Sequence, residues 1–253
     1  MEISFYDKER HPVIRFLNFS LDLENVITFD IEVRITCFEI NTIGKVLKPD
    51  LLLFGEKISQ LNELKIADLK FSFSEGKQVI SIKRDVFGHI QYDFSVCDES
   101  LENIFTGNFT SDLTFLPQLL SEINSLNNCN INTNRKKMDD SSQELLISFE
   151  NPEKYEENWC DYQLSFVSPF ALVKRNVTMS HDEINKASED IQGFVKNNIP
   201  FSISPLGQMF YIDFNWENEK VLLSGEICDF SFPCNHLNFR MVGNKEQVPD
   251  III

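Results

Sequence analysis

Histidine and cysteine, the residues that most often bind metals or act as nucleophiles, are few and scattered in this chain of 253 residues. The four histidines share no metal-ligand spacing with cysteine, aspartate or glutamate, so we predict no metal site. The six cysteines form no C-x-x-C pair, which favours reduced and mostly buried thiols. These residues are His11, His89, His181 and His236, and Cys37, Cys97, Cys129, Cys160, Cys228 and Cys234.

The glycine-dependent motifs of phosphate and acyl chemistry are missing as well. The chain has no G-x-S-x-G, P-loop or G-x-G-x-x-G sequence, and only 9 glycines in all. Cys97-Asp98 and Cys228-Asp229 recur in the two halves and could mark paired thiols, but a small buried hydrophobe closing each meander is the favoured interpretation. We therefore predict no catalytic residue and no cofactor.

One acidic group surrounds a tryptophan in the second half of the chain. It consists of Glu153, Glu156, Glu157, Trp159 and Asp161. A solvated turn is the commoner explanation of such a cluster. As a functional site, it would be an acidic rim around an aromatic anchor that receives a basic protein partner. We take these five residues as the predicted partner-binding site.

The net charge of −16 narrows the classes of partner. Residues 1–126 hold 12 Lys and Arg against 20 Asp and Glu, and residues 144–253 hold 8 against 17. Both halves should therefore repel nucleic-acid phosphates and anionic membranes. The acidity either maintains solubility or steers a basic protein partner. The chain starts without signal-peptide features, and no window approaches about 18 apolar residues, so we expect a cytoplasmic protein.

The chain runs twice through a similar order of elements, displaced by about 130–133 positions. Residues 29–37 alternate between apolar and polar, which predicts a strand with one buried face. A helix begins at Pro49-Asp50, and Ser180 with Glu183 predicts a capping box at the corresponding helix. The matching apolar positions are Phe29, Ile31 and Val33 with Tyr162, Leu164 and Phe166, and Leu51, Phe54, Ile58 and Leu61 with Ile184, Ala187, Ile191 and Phe194.

Antiparallel strands are predicted to follow each of these helices. The predicted ranges are 69–73, 78–83 and 89–96 in the first copy, and 201–204, 209–216 and 220–227 in the second. A second helix near residues 114–126 closes the first copy only. The second copy instead ends in Ile251-Ile252-Ile253, for which a final strand is favoured over a sticky contact end. The fold class is therefore α+β, with two tandem similar domains, each an antiparallel meander with one or two packed helices. The predicted boundaries are 1–126 for the first domain, 127–143 for a polar linker and 144–253 for the second.

The order of elements after Glu157-Asn158-Trp159 resembles the WapI-type immunity proteins. Those are small bacterial proteins that neutralise the toxic tip of polymorphic or Rhs-type toxins. In the first half the equivalent of the Asn-Trp start is Asn25-Val26, so the tryptophan is lost there. The resemblance implies a non-catalytic role, the binding of a toxin domain, and the acidity of the chain makes a basic one the expected partner.

Two other functions stay open at this stage. An enzyme without a sequence signature would need a deep polar pocket between the two domains. An oligomeric accessory or scaffold protein could assemble through the isoleucine-rich end. The oligomeric state itself does not follow from the sequence.

Overall fold

The computed structural model describes residues 2–35, 38–98, 100–128, 146–156, 158–168, 171–205, 210–228 and 236–244. Most of the predicted linker at 127–143 and the Ile251-Ile252-Ile253 end lie outside these ranges. The described residues form two antiparallel sheets and three α-helices, which confirms the predicted α+β class.

The first sheet has seven described strands in the order β1-β2-β3-β4-β11-β10-β9. They are β1 (Ile3–Tyr6), β2 (Pro12–Leu21), β3 (Val26–Ile35), β4 (Phe38–Leu47), β9 (Leu146–Glu156), β10 (Trp159–Ser168) and β11 (Ala171–Ser180). In β3 the residues alternate strictly between buried and more exposed positions, as the period of two predicts.

The second sheet has eight described strands in the order β12-β13-β14-β15-β8-β7-β6-β5. They are β5 (Asp68–Phe73), β6 (Gln78–Arg84), β7 (His89–Cys97), β8 (Ile104–Asp112), β12 (Phe201–Ile203), β13 (Phe210–Glu217), β14 (Lys220–Cys228) and β15 (His236–Asn244). The predicted meander of three strands after the first helix is confirmed as β5, β6 and β7.

The three helices are α1 (Lys48–Asn62), α2 (Leu116–Asn128) and α3 (His181–Asn197). The predicted apolar stripe of α1 is buried at Leu51, Phe54, Ile58 and Leu61. Phe54 stacks on Phe71 of β5 with ring centroids 4.2 Å apart, which fixes α1 against the second sheet. Helix α2 follows a short 3-10 turn and packs on α1, because Gly55 leaves room for Ile123.

Aromatic rings join the two sheets into one core in the first half. Phe5 of β1 meets Tyr92 of β7 edge-on at 5.7 Å, and Phe16 of β2 meets Phe73 of β5 at the same distance. All four rings are almost completely buried. Since edge-to-face pairs add to the free energy of burial, these contacts fix how the sheets face each other.

The two halves of the chain meet edge to edge in both sheets. In the first sheet β4 pairs with β11, and Glu39 lies opposite Leu172 at the centre of the pairing. In the second sheet β8 pairs with β15, and Thr106 lies opposite Asn238. These two pairs are separated by 133 and 132 positions, which lies within the displacement of about 130–133 predicted for the repeat.

Such pairing is what a two-fold axis through both junctions produces, because equivalent residues then lie opposite each other. Phe105 faces Phe239 on one side of the Thr106–Asn238 pair. Their equivalents, Leu237 and Gly107, face each other on its other side. The two halves of the chain thus pair as the subunits of a symmetric dimer do. The division into two domains stays a prediction, since each half contributes strands to both sheets.

In both halves a phenylalanine lies opposite a glycine on the neighbouring strand, but the two residue types have changed strands. In the first half Phe94 of β7 lies opposite Gly107 of β8. In the second half the glycine is Gly225 of β14 and the phenylalanine is Phe239 of β15. In the second half the Phe239 ring lies over Gly225, an arrangement that compensates for the missing side chain. The exchange preserves this pairing in both copies.

Strands β1, β4, β8, β11 and β15 were missed by the sequence patterns. Strand β1 begins the chain, β4 and β11 lie between a predicted strand and a helix, and β8 and β15 follow the predicted meanders. Four of these five, β4, β8, β11 and β15, form the junctions between the halves. Their role depends on partners far away in the sequence, which local alternation does not reveal.

Candidate functional site

The structure brings together most of the predicted partner-binding group around Trp159. Trp159 and Asp161 lie on β10, and Glu156 and Glu153 lie opposite them on β9. The fifth predicted residue, Glu157, is outside the described residues. The register shifts near Trp159 and again after Asp161, so β9 is irregular at this end. The acidic positions therefore converge at one end of two paired strands.

Strand β10, which carries Trp159 and Asp161, is also paired along its other edge, with β11. Trp159 pairs with Ser180 of β11 and Asp161 with Thr178. The Thr178 hydroxyl donates to Asp161 Oδ1 at 2.6 Å. Both Trp159 and Asp161 are partly exposed. An aromatic ring and a carboxylate are thus presented from a strand that is paired on both sides.

Helix α3 begins directly beside Trp159. The backbone N–H of His181 donates to the carbonyl of Asn158 at 3.1 Å. The Glu183 N–H donates to Ser180 Oγ at 3.2 Å, while Glu183 Oε2 accepts from the Ser180 N–H at 2.8 Å. This reciprocal pair confirms the predicted capping box and satisfies two donors at the start of the helix.

A cavity of about 740 Å³ opens in the first half of the chain. Its wall is formed by β3, β4, the start of α1 and the β5–β6 turn, all within residues 22–98. The lining residues are Asp22, Val26, Thr28, Ile43, Lys45, Val46, Leu47, Asp50, Ser72, Phe73, Ser74, Glu75, Gly76, Lys77, Gln78, Cys97 and Asp98. The sequence patterns gave no signal for this cavity, because its lining comes from segments distant in the sequence.

Buried polar groups at the back of the cavity are linked by hydrogen bonds. The Gln78 amide nitrogen donates to the carbonyls of Cys97 at 2.8 Å and Ile43 at 3.2 Å. The Thr42 hydroxyl donates to the same Cys97 carbonyl at 2.8 Å. Gln78 and Thr42 are both buried, so these bonds connect the two sheets where a lost partner would be costly.

Two carboxylates of the cavity wall organise loops. Asp22 Oδ1 accepts from the backbone N–H groups of Glu24 and Val26, both at 2.9 Å. Asp98 accepts from the Asn103 backbone at 3.2 Å and from the Asn103 side chain at 2.9 Å. These are the contacts by which aspartate stabilises turns.

Cys97 and Cys160 are free and buried. Burial raises the pKa of the Cys97 thiol above its usual value, which disfavours the reactive thiolate. Its sulfur lies 3.8 Å from the Lys77 carbonyl oxygen. For Cys97 this agrees with the interpretation as a small buried hydrophobe. The side chain of Cys228, its counterpart in the second half, lies outside the described residues.

Asp7, Glu9 and His11 form a group that spacing did not indicate. Their possible ligand atoms lie within 4.8 Å of one another in the turn between β1 and β2. Asp7 Oδ1 accepts from the His11 N–H at 2.8 Å, and His11 Nδ1 lies 3.3 Å from Asp7 Oδ2. His11 and Glu9 are exposed, and the contacts of Asp7 are those of a closed turn.

Comparison of the chain with protein-family models, with curated proteins and with solved structures found no match. Among the described residues, none of the helices has the length and apolar character of a segment that crosses a membrane.

Proposed function

We propose that this protein is a non-catalytic binding protein that neutralises a basic toxin domain by direct contact, like the immunity proteins it resembles. One observation carries the proposal: the pairing of β9 with β10 gathers Glu153, Glu156 and Asp161 at the same end of the sheet as Trp159. We place the protein in the cytoplasm, where such a toxin would act.

Physical arguments support this end of the sheet as the contact surface. A partly exposed tryptophan offers a large contact area at a low entropic cost, and tryptophan is enriched among residues that dominate binding energies. Pairing of β10 on both sides fixes the backbone beneath it, so little ordering is needed on binding. The acidic positions and the net charge of −16 would accelerate encounter with a basic partner.

The fused, two-fold arrangement also bears on this proposal. We infer that the chain consists of two similar units, of which the second has kept the Asn-Trp start of the family it resembles. The first unit has Asn25-Val26 at the same place. The contact surface is therefore proposed for the second unit, while the first unit completes both sheets.

The test is co-expression with the toxin domain encoded beside this chain, followed by calorimetry on the purified pair. Trp159→Ala should weaken binding by roughly 30-fold or more, the size expected for an aromatic anchor. Asp161→Asn should weaken it several-fold and reduce its dependence on salt. Asp213→Asn is the matched control, because Asp213 accepts an equivalent bond from Ser202 across β12 and β13.

The control should bind like the unaltered protein. If the toxin domain neither forms a complex nor loses toxicity in the presence of this chain, the proposed function fails. If it binds but Trp159→Ala binds equally well, the surface is misplaced although the function stands.

A further inference from the structure

The turn between β6 and β7 presents two large apolar side chains to solvent. Val86 is 90% exposed and Phe87 is 83% exposed, side by side at the tip of the hairpin. Among the phenylalanines whose side chains the structure describes, Phe87 is the only exposed one. Single exposed apolar residues are common on protein surfaces. Val86 and Phe87 are adjacent, and they are about twice as exposed as Leu52 and Leu53, another adjacent apolar pair at 40% and 47%.

This tip is held rigidly. Asp85 Oδ1 accepts from the backbone N–H groups of Phe87 and His89, both at 2.8 Å, and Asp85 Oδ2 lies 2.8 Å from His89 Nδ1. Gly88 has a φ of +88°, a conformation that other residues rarely adopt. The Leu113 N–H donates to the Gly88 carbonyl and ties the tip to the next element. Exposure of the pair is therefore built into the turn.

The second half provides an internal comparison. The corresponding hairpin, between β13 and β14, turns through Asn218 and Glu219, both at positive φ. A polar pair thus closes the same hairpin of the same fold. The longer first-half turn thus places two apolar side chains where the second half has only polar ones.

We infer that the Val86-Phe87 tip is a second protein-docking element that inserts into an apolar pocket bordered by basic side chains on a protein partner. The apolar pocket follows from the two side chains. The basic border follows from the net charge of −16 of the chain, since Asp85 and Asp112 near the tip are accompanied by Lys83 and Arg84. An anionic membrane surface is disfavoured by the same charge. The inference depends on the proposed function only for the identity of the partner, since the tip is in the first half and the Trp159 group is in the second.

The experiment compares the double variant Val86→Ser/Phe87→Ser with Leu23→Ser. Leu23 is a fully exposed apolar residue in another turn of the first half, so it controls for a general loss of exposed apolar area. Both variants should keep the circular dichroism spectrum and the melting temperature of the unaltered protein. The tip variant should bind the toxin domain roughly 10- to 100-fold more weakly, while Leu23→Ser stays within about twofold.

Equal binding by the tip variant and the unaltered protein would overturn the inference and leave the proposed function intact. If the unaltered protein does not bind the toxin domain, the proposed function fails and the tip is judged by crosslinking instead. A photoreactive phenylalanine analogue at position 87 should then capture a basic protein in the producing cells. That protein, once purified, must bind the unaltered chain at least tenfold more tightly than the tip variant.

The absence of a crosslinked protein, or equal binding of a captured protein to both forms, would also refute the docking element. Phosphatidylcholine vesicles test the remaining alternative, that the tip inserts into a lipid surface. Co-sedimentation of the unaltered protein with these vesicles, lost in the tip variant, would show that the tip inserts into lipid and not into a protein pocket.

Discussion

Replacing a glycine by alanine should have opposite effects at two positions of the second half. Gly225 lies in β14 between Ile212 of β13 and Phe239 of β15. A Cβ added there would lie 2.2 Å from the Tyr211 backbone oxygen and 2.9 Å from the Phe239 ring. Gly193 lies in α3, where the nearest atom to an added Cβ is Ile199 Cδ1 at 3.8 Å.

The magnitudes follow from what each added methyl group meets. At Gly225 the neighbour at 2.2 Å is backbone, so β13 and β14 must separate by about 1 Å to restore ordinary contact. Overpacking of this kind costs about 1–3 kcal/mol, and weakening one or two ladder hydrogen bonds costs about 1 kcal/mol more. We therefore expect Gly225→Ala to lower the free energy of unfolding by about 2–4 kcal/mol. Gly193→Ala should raise it by about 0.4–1 kcal/mol, because alanine restricts the unfolded chain and suits a helix.

Urea unfolding followed by tryptophan fluorescence is the appropriate assay. Both tryptophans, Trp159 and Trp216, are in the second half, and Trp216 stacks on Phe194 of α3 at 4.7 Å. The midpoint should move to lower urea for Gly225→Ala and to slightly higher urea for Gly193→Ala, with similar slopes. For a chain of this size, 2–4 kcal/mol corresponds to a melting temperature lower by roughly 5–15 °C.

A midpoint for Gly225→Ala equal to that of the unaltered protein would refute the reasoning. It would mean that β13 and β14 can separate freely, contrary to a register in which eight consecutive residue pairs connect them. A destabilised Gly193→Ala would instead show that α3 has less room at that turn than the 3.8 Å contact indicates.

Three further predictions concern buried polar groups and the capping box. Ser180→Ala should lower stability by about 1 kcal/mol in thermal unfolding, because the helix loses its N-cap, whereas Ser180→Asp should retain most of it. Gln78→Leu should lower the free energy of unfolding in urea by about 1–3 kcal/mol, since it removes a donor from the buried Cys97 carbonyl. The double variant Gln78→Leu/Thr42→Val should lose more stability than the two single variants together, because both side chains donate to that carbonyl. Simple additivity of the two losses would contradict the shared acceptor. Burial raises the pKa of the Tyr92 phenol, so the folded chain keeps a proton that the unfolded chain releases above about pH 10. Stability should then fall by about 1.4 kcal/mol per pH unit in that range, and Tyr92→Phe should lessen the fall; identical alkaline slopes would refute this assignment.

Part of the fold followed directly from the order of residues. The alternation at residues 29–37 predicted a half-buried strand, of which the structure describes β3 (Val26–Ile35), and the apolar stripes of α1 and α3 are buried as their spacing indicated. The capping box at Ser180 was predicted from residue types alone, because its partners are three positions apart. These features are local, so a single segment contains the information that determines them.

The candidate site was predicted in part for the same reason. Trp159 and Asp161 are two positions apart, and alternation along a strand aligns them. The register of β9 on β10 contains two shifts, which no sequence pattern predicts. This register places Glu153 opposite Asp161 and Glu156 opposite Trp159. The exposure of Val86 and Phe87 at the β6–β7 turn was not predicted from the sequence, since exposure is a property of the surrounding structure.

The sequence by itself predicted a similarity between the two halves, and it determined the element types of its strongest segments and the acidic character of both halves. Only the tertiary structure decided how the copies combine: β4 pairs with β11 and β8 with β15, so both sheets pass through both halves. Edge pairing uses backbone groups that every residue carries, and its register is set by contacts between strands more than 130 positions apart. The displacement of about 130–133 positions was predicted from the sequence, but the pairing of residues separated by that displacement depends on the tertiary structure.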